Sequence, residues 1–193
     1  MDAAFDVFLS EGFVGASMER VAMRAGVSKM TVYRHYESKE ELFLATMNRT
    51  SQHLFDTEKQ VPASSAEDAR SALLAFGQSF METITTPEVL ELAQMLVGEF
   101  RRFPQLAAQF YDVVPARTIA VISRILSGIM PEDEVKAKAP ALMHMFMGDI
   151  YQQVSFRKMS REQAIAEAGP QIQLAVDLIL GSHAPAAAGR RGG

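Results

Sequence analysis

The chain of 193 residues contains no cysteine and no tryptophan. Without cysteine there is no disulfide framework and no thiolate metal site, and a reducing cytoplasm is the expected setting. Histidine is scarce as well. His35, His53, His144 and His183 are scattered, and none falls in an H-x-x-x-H or H-E-x-x-H spacing, so no metal site is expected. There is no G-x-S-x-G turn, no G-x-x-x-x-G-K-[ST] run and no dinucleotide fingerprint, so neither catalysis nor a bound cofactor is expected. The N-terminus has no basic region followed by an apolar run, and no apolar stretch approaches the roughly 20 residues of a membrane span. Beyond residue 47 there is no strand-like alternation. The expected fold is all-α.

What is present is concentrated in residues 17–43, SMERVAMRAGVSKMTVYRHYESKEELF. Ser17 is placed to cap a helix whose buried stripe is Val21, Ala22 and Ala25. Gly26 stands where the chain must bend sharply, and glycine takes a left-handed backbone without steric cost. Ser28 is placed to cap a second helix, from about Lys29 to His35, and Ser38 with Glu41 forms a capping box that opens a third at Lys39. Two helices joined by a short glycine-containing turn make a helix-turn-helix, whose second helix enters the DNA major groove.

Charge supports the same expectation. Between Arg20 and Lys39 the cations are Arg20, Arg24, Lys29, Arg34 and Lys39, and the acid is Glu37, a local excess of +4 in a chain whose net charge is −4. Local positive potential against global negative charge suits a phosphate footprint better than a general polyanion surface. Lys29, Met30 and Tyr33 lie along one face near the start of the second helix, within reach of base edges. Lysine donates to guanine N7 and O6, and Met30 and the Tyr33 ring suit a thymine methyl. Tyr36 is expected to pack under the motif.

The residues Phe8, Gly12, Phe13, Ser17, Met18, Val21, Ala22, Ala25 to Ser28, Thr31 to Tyr36 and Ser38 to Phe43 together resemble the DNA-binding domain of the TetR family of transcriptional regulators. The resemblance runs without a gap over about the first 47 residues. It implies an N-terminal three-helix DNA-binding domain at 1–47 and a helical ligand-binding and dimerisation domain at 48–182, while the tail at 183–193, rich in Ala, Gly and Pro, is expected to be disordered from its composition. It also implies a homodimeric regulator, a repressor rather than an activator, on double-stranded operator DNA. Thr31, Tyr33, His35 and Lys39 match family positions that touch phosphates. The expected DNA-binding set is therefore Ser28, Lys29, Met30, Thr31, Tyr33, Arg34, His35 and Lys39. Glu19 matches a position that faces DNA in some relatives, where an acid either reads cytosine or repels. Related domains carry basic residues before the first helix, whereas this chain begins at Met1-Asp2, almost within a helix with the stripe Ala4, Phe5, Phe8 and Leu9. Either this basic arm is absent or the start is clipped or misassigned; without an arm, fewer neutralised phosphates would mean weaker binding and a shallower salt dependence.

Further along, amphipathic helices are expected over Lys39 to about Lys59 (inner face Leu42, Phe43, Thr46, Met47 and Leu54), Ala66 to about Thr85, and Pro87 to about Phe100. Three more are expected from Pro104 to about Ser127, Glu132 to about Phe156 and Ser160 to about Leu180. Gly98 to Asp112, GEFRRFPQLAAQFYD, resembles the C-terminal domain of the AefR-like branch of the TetR family. Val135, Ala139, Leu142, Met143, Phe146 and Ile150 line one face of the first of the two last helices. Ile165, Ile172, Ala175, Val176, Ile179 and Leu180 line the second. Met145 and Met147 add apolar surface beyond one stripe, which points to an interface. Leu142, Met145, Ile150, Ile172, Val176 and Ile179 are the expected dimer contacts. Twelve methionines and twelve phenylalanines suit a soft interior for an apolar or amphipathic effector. The candidate lining is Phe80, Met81, Met95, Phe100, Phe110, Tyr111, Met143, Phe146 and Met147. The alternative is a helical ligand-binding or protein-interaction module without specific DNA binding.

Overall fold

The computed structural model describes residues 2–55 and 62–181, and these are helical throughout apart from turns and short connections. The expected tail and the end of the fourth helix fall outside the described residues. The first four helices are α1 (Asp2–Gly15), α2 (Met18–Ala25), α3 (Lys29–His35) and α4 (Lys39–Phe55). They are followed by α5 (Ala66–Ile84), α6 (Pro87–Glu99), α7 (Pro104–Val113), α8 (Pro115–Leu126), α9 (Glu132–Ser155) and α10 (Arg161–Gly181). Where one helix is expected from Pro104 to Ser127, the structure has two. Pro115 has no N–H to donate, so the helix stops at Val113, the Val114 N–H bonds back to Phe110, and α8 begins with the proline in its first turn.

By packing, the described residues divide into two compact units. One draws on 1–57 and 83–118, the other on 58–82 and 119–193. In the first, α6 and α7 share a core with the three N-terminal helices. Leu92, Leu96 and Leu106 are buried in one cluster with Phe8, Phe13, Val21, Val32 and Phe43. This division differs from a boundary at residue 47, because the helix-turn-helix is completed by helices from beyond it. Phe8 and Phe13 both meet Phe43 edge-on, with centroids 5.0 and 5.4 Å apart, and Phe103 closes on Phe13 at 5.0 Å. Each such side chain contributes about 1.5–3 kcal/mol by leaving water, and edge-to-face pairs add to that. Gly12, at φ 71° and ψ 169°, interrupts α1 and lets the chain carry Phe13 into this cluster. The α1 stripe holds: Ala4 and Phe8 are buried, Phe5 and Leu9 half-buried against the core. Ala25, expected in the α2 stripe, is exposed instead, because α2 ends there and the turn lifts it off the core.

In the second unit, α5 up to Glu82 packs with α9 and α10. Ala69, Leu73, Phe76 and Phe80 are buried on α5, and the whole expected α9 face from Val135 to Ile150 is buried too. On α10, Ile172, Ala175, Val176 and Ile179 are buried, while Ile165 and Leu180 are half-buried. Close approach is set at Gly77, where an added Cβ would lie 2.7 Å from Ile172 Cγ2 and 3.1 Å from the Phe146 ring. Gly148, at φ 45° and ψ −149°, breaks α9. The Gln171 side-chain amide covers the break, donating to the Met145 and Phe146 carbonyls at 3.1 and 2.6 Å.

Candidate nucleic-acid interface

The turn between α2 and α3 is a Schellman closure. Gly26 sits at φ 68° and ψ 28°, its N–H reaches the Met23 carbonyl at 3.2 Å, and the Val27 N–H reaches Ala22 at 3.0 Å. Capping is as the sequence predicts. The Ser17 hydroxyl accepts from the Arg20 N–H at 3.3 Å, Ser28 from Thr31 at 3.1 Å, and Ser38 from Glu41 at 3.1 Å. The Glu41 carboxylate accepts from the Glu37 N–H, one residue before the cap. These bonds satisfy helix ends that otherwise leave donors exposed.

Only Val32 of α3 is buried. Met30, 77% exposed, and Tyr33, Arg34 and His35 all face solvent. Thr31 is half-buried with its hydroxyl 2.9 Å from that of Ser28. Tyr36 is half-buried against the core, as packing under the motif requires. A helix anchored by one buried valine and capped at its start presents the rest of its surface outward, which is the geometry a groove-reading helix needs.

The cations around it are held differently from one another. Arg24 pairs with Asp6 at 2.8 Å, Arg20 pairs with Glu11, and Lys29 pairs with Glu19 while its ammonium lies 5.4 Å from the Tyr33 ring centroid. The hydrogen bond and charge of Lys29 hold the Glu19 carboxyl below the usual range, and Glu19 raises the Lys29 ammonium in turn. Lys39, expected at phosphate, points its ammonium elsewhere: it donates to the Val14 and Ala16 carbonyls at 3.3 and 3.1 Å and sits 4.7 Å from the Phe13 ring centroid. There it ties α4 to the end of α1.

Two family models match this chain. One, described as bacterial regulatory proteins of the tetR family, covers residues 1–46, and the other, the C-terminal domain of AefR-like transcriptional repressors, covers residues 71–181. The chain belongs to the TetR family. The TetR-family relatives include the HTH-type transcriptional activator FasR of Mycolicibacterium smegmatis, 33% identical over 123 residues. That match takes in 64% of this chain and 55% of FasR, so the chain spans about half the length of that relative. The HTH-type transcriptional regulator SrpR of Pseudomonas putida is 25% identical over 97 residues, 50% of this chain and 43% of SrpR. Among solved structures, a TetR family regulator from Pseudomonas syringae pv. tomato is 28% identical with a TM-score of 0.62, covering 93% of this chain and 92% of that one. The Flavonoid-responsive Regulator FrrA shares the fold at a TM-score of 0.71 and 24% identity, over 94% of this chain and 93% of its own. The chain is thus a member of a family of transcriptional regulators, and no helix among its described residues is long and apolar enough to cross a membrane.

The candidate effector residues are divided between the two units. Phe80, Met81, Met143 and Phe146 are buried in the second, where Met147 is half-buried. Met95, Phe100 and Phe110 are half-buried against the first unit's core, and Tyr111 is exposed. Of the candidate dimer contacts, Leu142, Ile150, Ile172, Val176 and Ile179 are already buried within the single chain, and Met145 is half-buried. Sequence reasoning reads the apolar stripe but not which part of it faces outward. The solvent-facing apolar residues of α10 are Leu174 and Leu178, 60% and 59% exposed. Their spacing of four residues, offset from the buried stripe, is the signal that separates them from the core.

Proposed function

We propose that the chain is a homodimeric transcriptional repressor, acting in the cytoplasm, that binds a (pseudo)palindromic operator through α3 and is released by a small apolar or amphipathic molecule. The outward face of α3 carries the DNA reading. Met30, Tyr33, Arg34 and His35 project from a short helix fixed by Val32, the Ser28 cap and the Gly26 turn. Ser28 and Thr31 border that face, and Lys29 stands at its start. Lys39 supports it by holding α1 rather than by meeting phosphate. Leu174 and Leu178, one turn apart on α10, support a dimer formed on that helix. A two-fold dimer would set two α3 helices against half-sites about one DNA turn apart. An effector that favours the other spacing of those helices antagonises the operator. The repressor sign leans on the description of the C-terminal family, whereas FasR is named an activator.

Selection from sheared genomic DNA tests the DNA reading directly, with the wild type compared against a Tyr33→Ala, Arg34→Ala variant. Both side chains are exposed, so the variant keeps the fold. Enrichment of a palindromic site that the variant loses is the expected outcome, and a promoter fusion to that site then gives the sign. Equal, weak and salt-labile recovery by both proteins would move the assignment to a ligand-sensing module without specific DNA binding.

A further inference from the structure

Glu19 is the acid whose carboxylate pairs with the first residue of the reading helix. It sits in the first turn of α2, half exposed, and its carboxylate pairs with Lys29, the first residue of α3. The same lysine lies beside the Tyr33 ring at 5.4 Å. Three side chains therefore form one arrangement on the face of α3: an acid, a cation and an aromatic ring. Neither charge is buried, with side-chain exposures of 51% for Glu19 and 55% for Lys29. A pair this open adds little to folding, so its placement is better explained by what approaches that surface.

We propose that Glu19 is a specificity-determining residue, which holds Lys29 against Tyr33 for base contact and withholds its charge from phosphate. This rests on the DNA-binding reading of α3. Non-specific DNA binding is dominated by cations meeting phosphates, whereas base edges supply the discrimination. A lysine free to swing serves any duplex. A lysine held by Glu19 serves a duplex that offers a guanine acceptor where the ammonium already stands. Its neighbours behave alike, since Arg20 and Arg24 are held by Glu11 and Asp6. Glu19 differs from those acids in restraining a residue of α3 itself.

The test measures binding of the full chain to two labelled duplexes of equal length, the selected operator and a scrambled sequence, across a salt series. Wild type is compared with Glu19→Gln, Glu19→Asp, Lys29→Met and the Glu19→Gln, Lys29→Met double variant. Glu19→Gln is expected to tighten scrambled-DNA binding and to steepen its salt slope by about 0.9, the value of one further neutralised phosphate. Over a fourfold change in salt that slope corresponds to roughly a 3.5-fold change in affinity. Operator binding should gain less, so the ratio of the two affinities falls. Glu19→Asp keeps the charge on a shorter stem and should lose part of that ratio, as positioning requires. With Lys29→Met in place, Glu19→Gln should leave the ratio unchanged. Equal shifts on both duplexes, or an aspartate that replaces glutamate without loss, would overturn the proposal while the DNA reading stands. A wild type that does not distinguish the two duplexes would overturn both.

Discussion

The helix-turn-helix and the α9–α10 pair are built on opposite plans. In the first, short helices are held by side chains that act within three or four residues of themselves, through the caps of Ser17, Ser28 and Ser38 and the left-handed Gly26. Beneath them lies a cluster of large rings, Phe8, Phe13, Phe43 and Phe103. In the second, long helices are brought together where side chains are missing. Gly77 lets Ile172 and Phe146 approach α5, and Gly148 opens a gap in α9 that Gln171 fills from α10. The first plan depends on volume supplied at a few positions and the second on volume withheld. They should therefore fail in opposite ways.

Removing a ring should be the most damaging change. Phe13→Ala takes away the partner of Phe8, Phe43 and Phe103 and the ring beneath the Lys39 ammonium. The expected loss is about 3–5 kcal/mol, read from urea unfolding, and operator binding should fall with it because α1 and α4 both bear on that cluster. A loss below about 1 kcal/mol would mean that the cluster relaxes around the gap and that the first plan is misdescribed.

Adding a methyl group should do the comparable harm in the second unit. In Gly77→Ala the new carbon meets Ile172 Cγ2 at 2.7 Å and the Phe146 ring at 3.1 Å, and both neighbours are essentially fully buried. Overpacking of this kind costs about 1–3 kcal/mol. A compensating Ile172→Leu change, which removes the β-branched Cγ2 methyl that the new carbon meets, should recover part of it. If Gly77→Ala proves neutral or stabilising, the helix-propensity gain of alanine outweighs the contact, and the approach of α5 to α10 is looser than these distances.

The same contrast explains what the sequence makes legible. The helix-turn-helix can be read because each of its signals is local: a serine three residues before the N–H it accepts from, a glycine at the one left-handed position. The stripe of α9 is read equally well from its spacing. The offset of Leu174 from the buried stripe is legible as well, but that Leu142 and Ile172 are buried within the single chain depends on helices distant in sequence. The side-chain contacts of Lys39 with α1 carbonyls and of Lys29 with Glu19 are missed for the same reason, because a basic residue in a DNA-binding motif gives no sign of an intramolecular partner. The break at Val114 is different. Pro115 marks it within the sequence itself, as a proline fit for a first turn.

A smaller effect tests whether caps alone set α3. Ser28→Ala removes the side-chain acceptor of the Thr31 N–H, leaving the Ser28 carbonyl at 3.0 Å, and the hydroxyl partner of Thr31 Oγ1. The expected cost is about 1 kcal/mol, with operator affinity falling further than global stability would account for. Restoring the cap with Ser28→Asp should return most of the stability. A variant in which affinity and stability fall in step would mean that α3 does not fray at its start.

The weakest expected effect sharpens the second unit's side of the comparison, where one ion pair crosses between α5 and α10. Arg70 pairs with Asp177, and this hydrogen bond holds the Asp177 carboxyl below its usual range. A carboxyl whose folded pKa is depressed stabilises the fold above its unfolded value, near 3.9, and loses that contribution as the pH falls through the folded value. Both side chains are partly exposed, so the contribution is small and screened by salt. Asp177→Asn should therefore be slightly less stable than wild type near neutral pH, with the difference closing as the solution is taken below the ordinary carboxylate range. Added salt should close it at neutral pH as well. A difference that persists in acid would assign the cost to packing of the asparagine, and α5 would then be held to α10 by the Gly77 contact without help from charge.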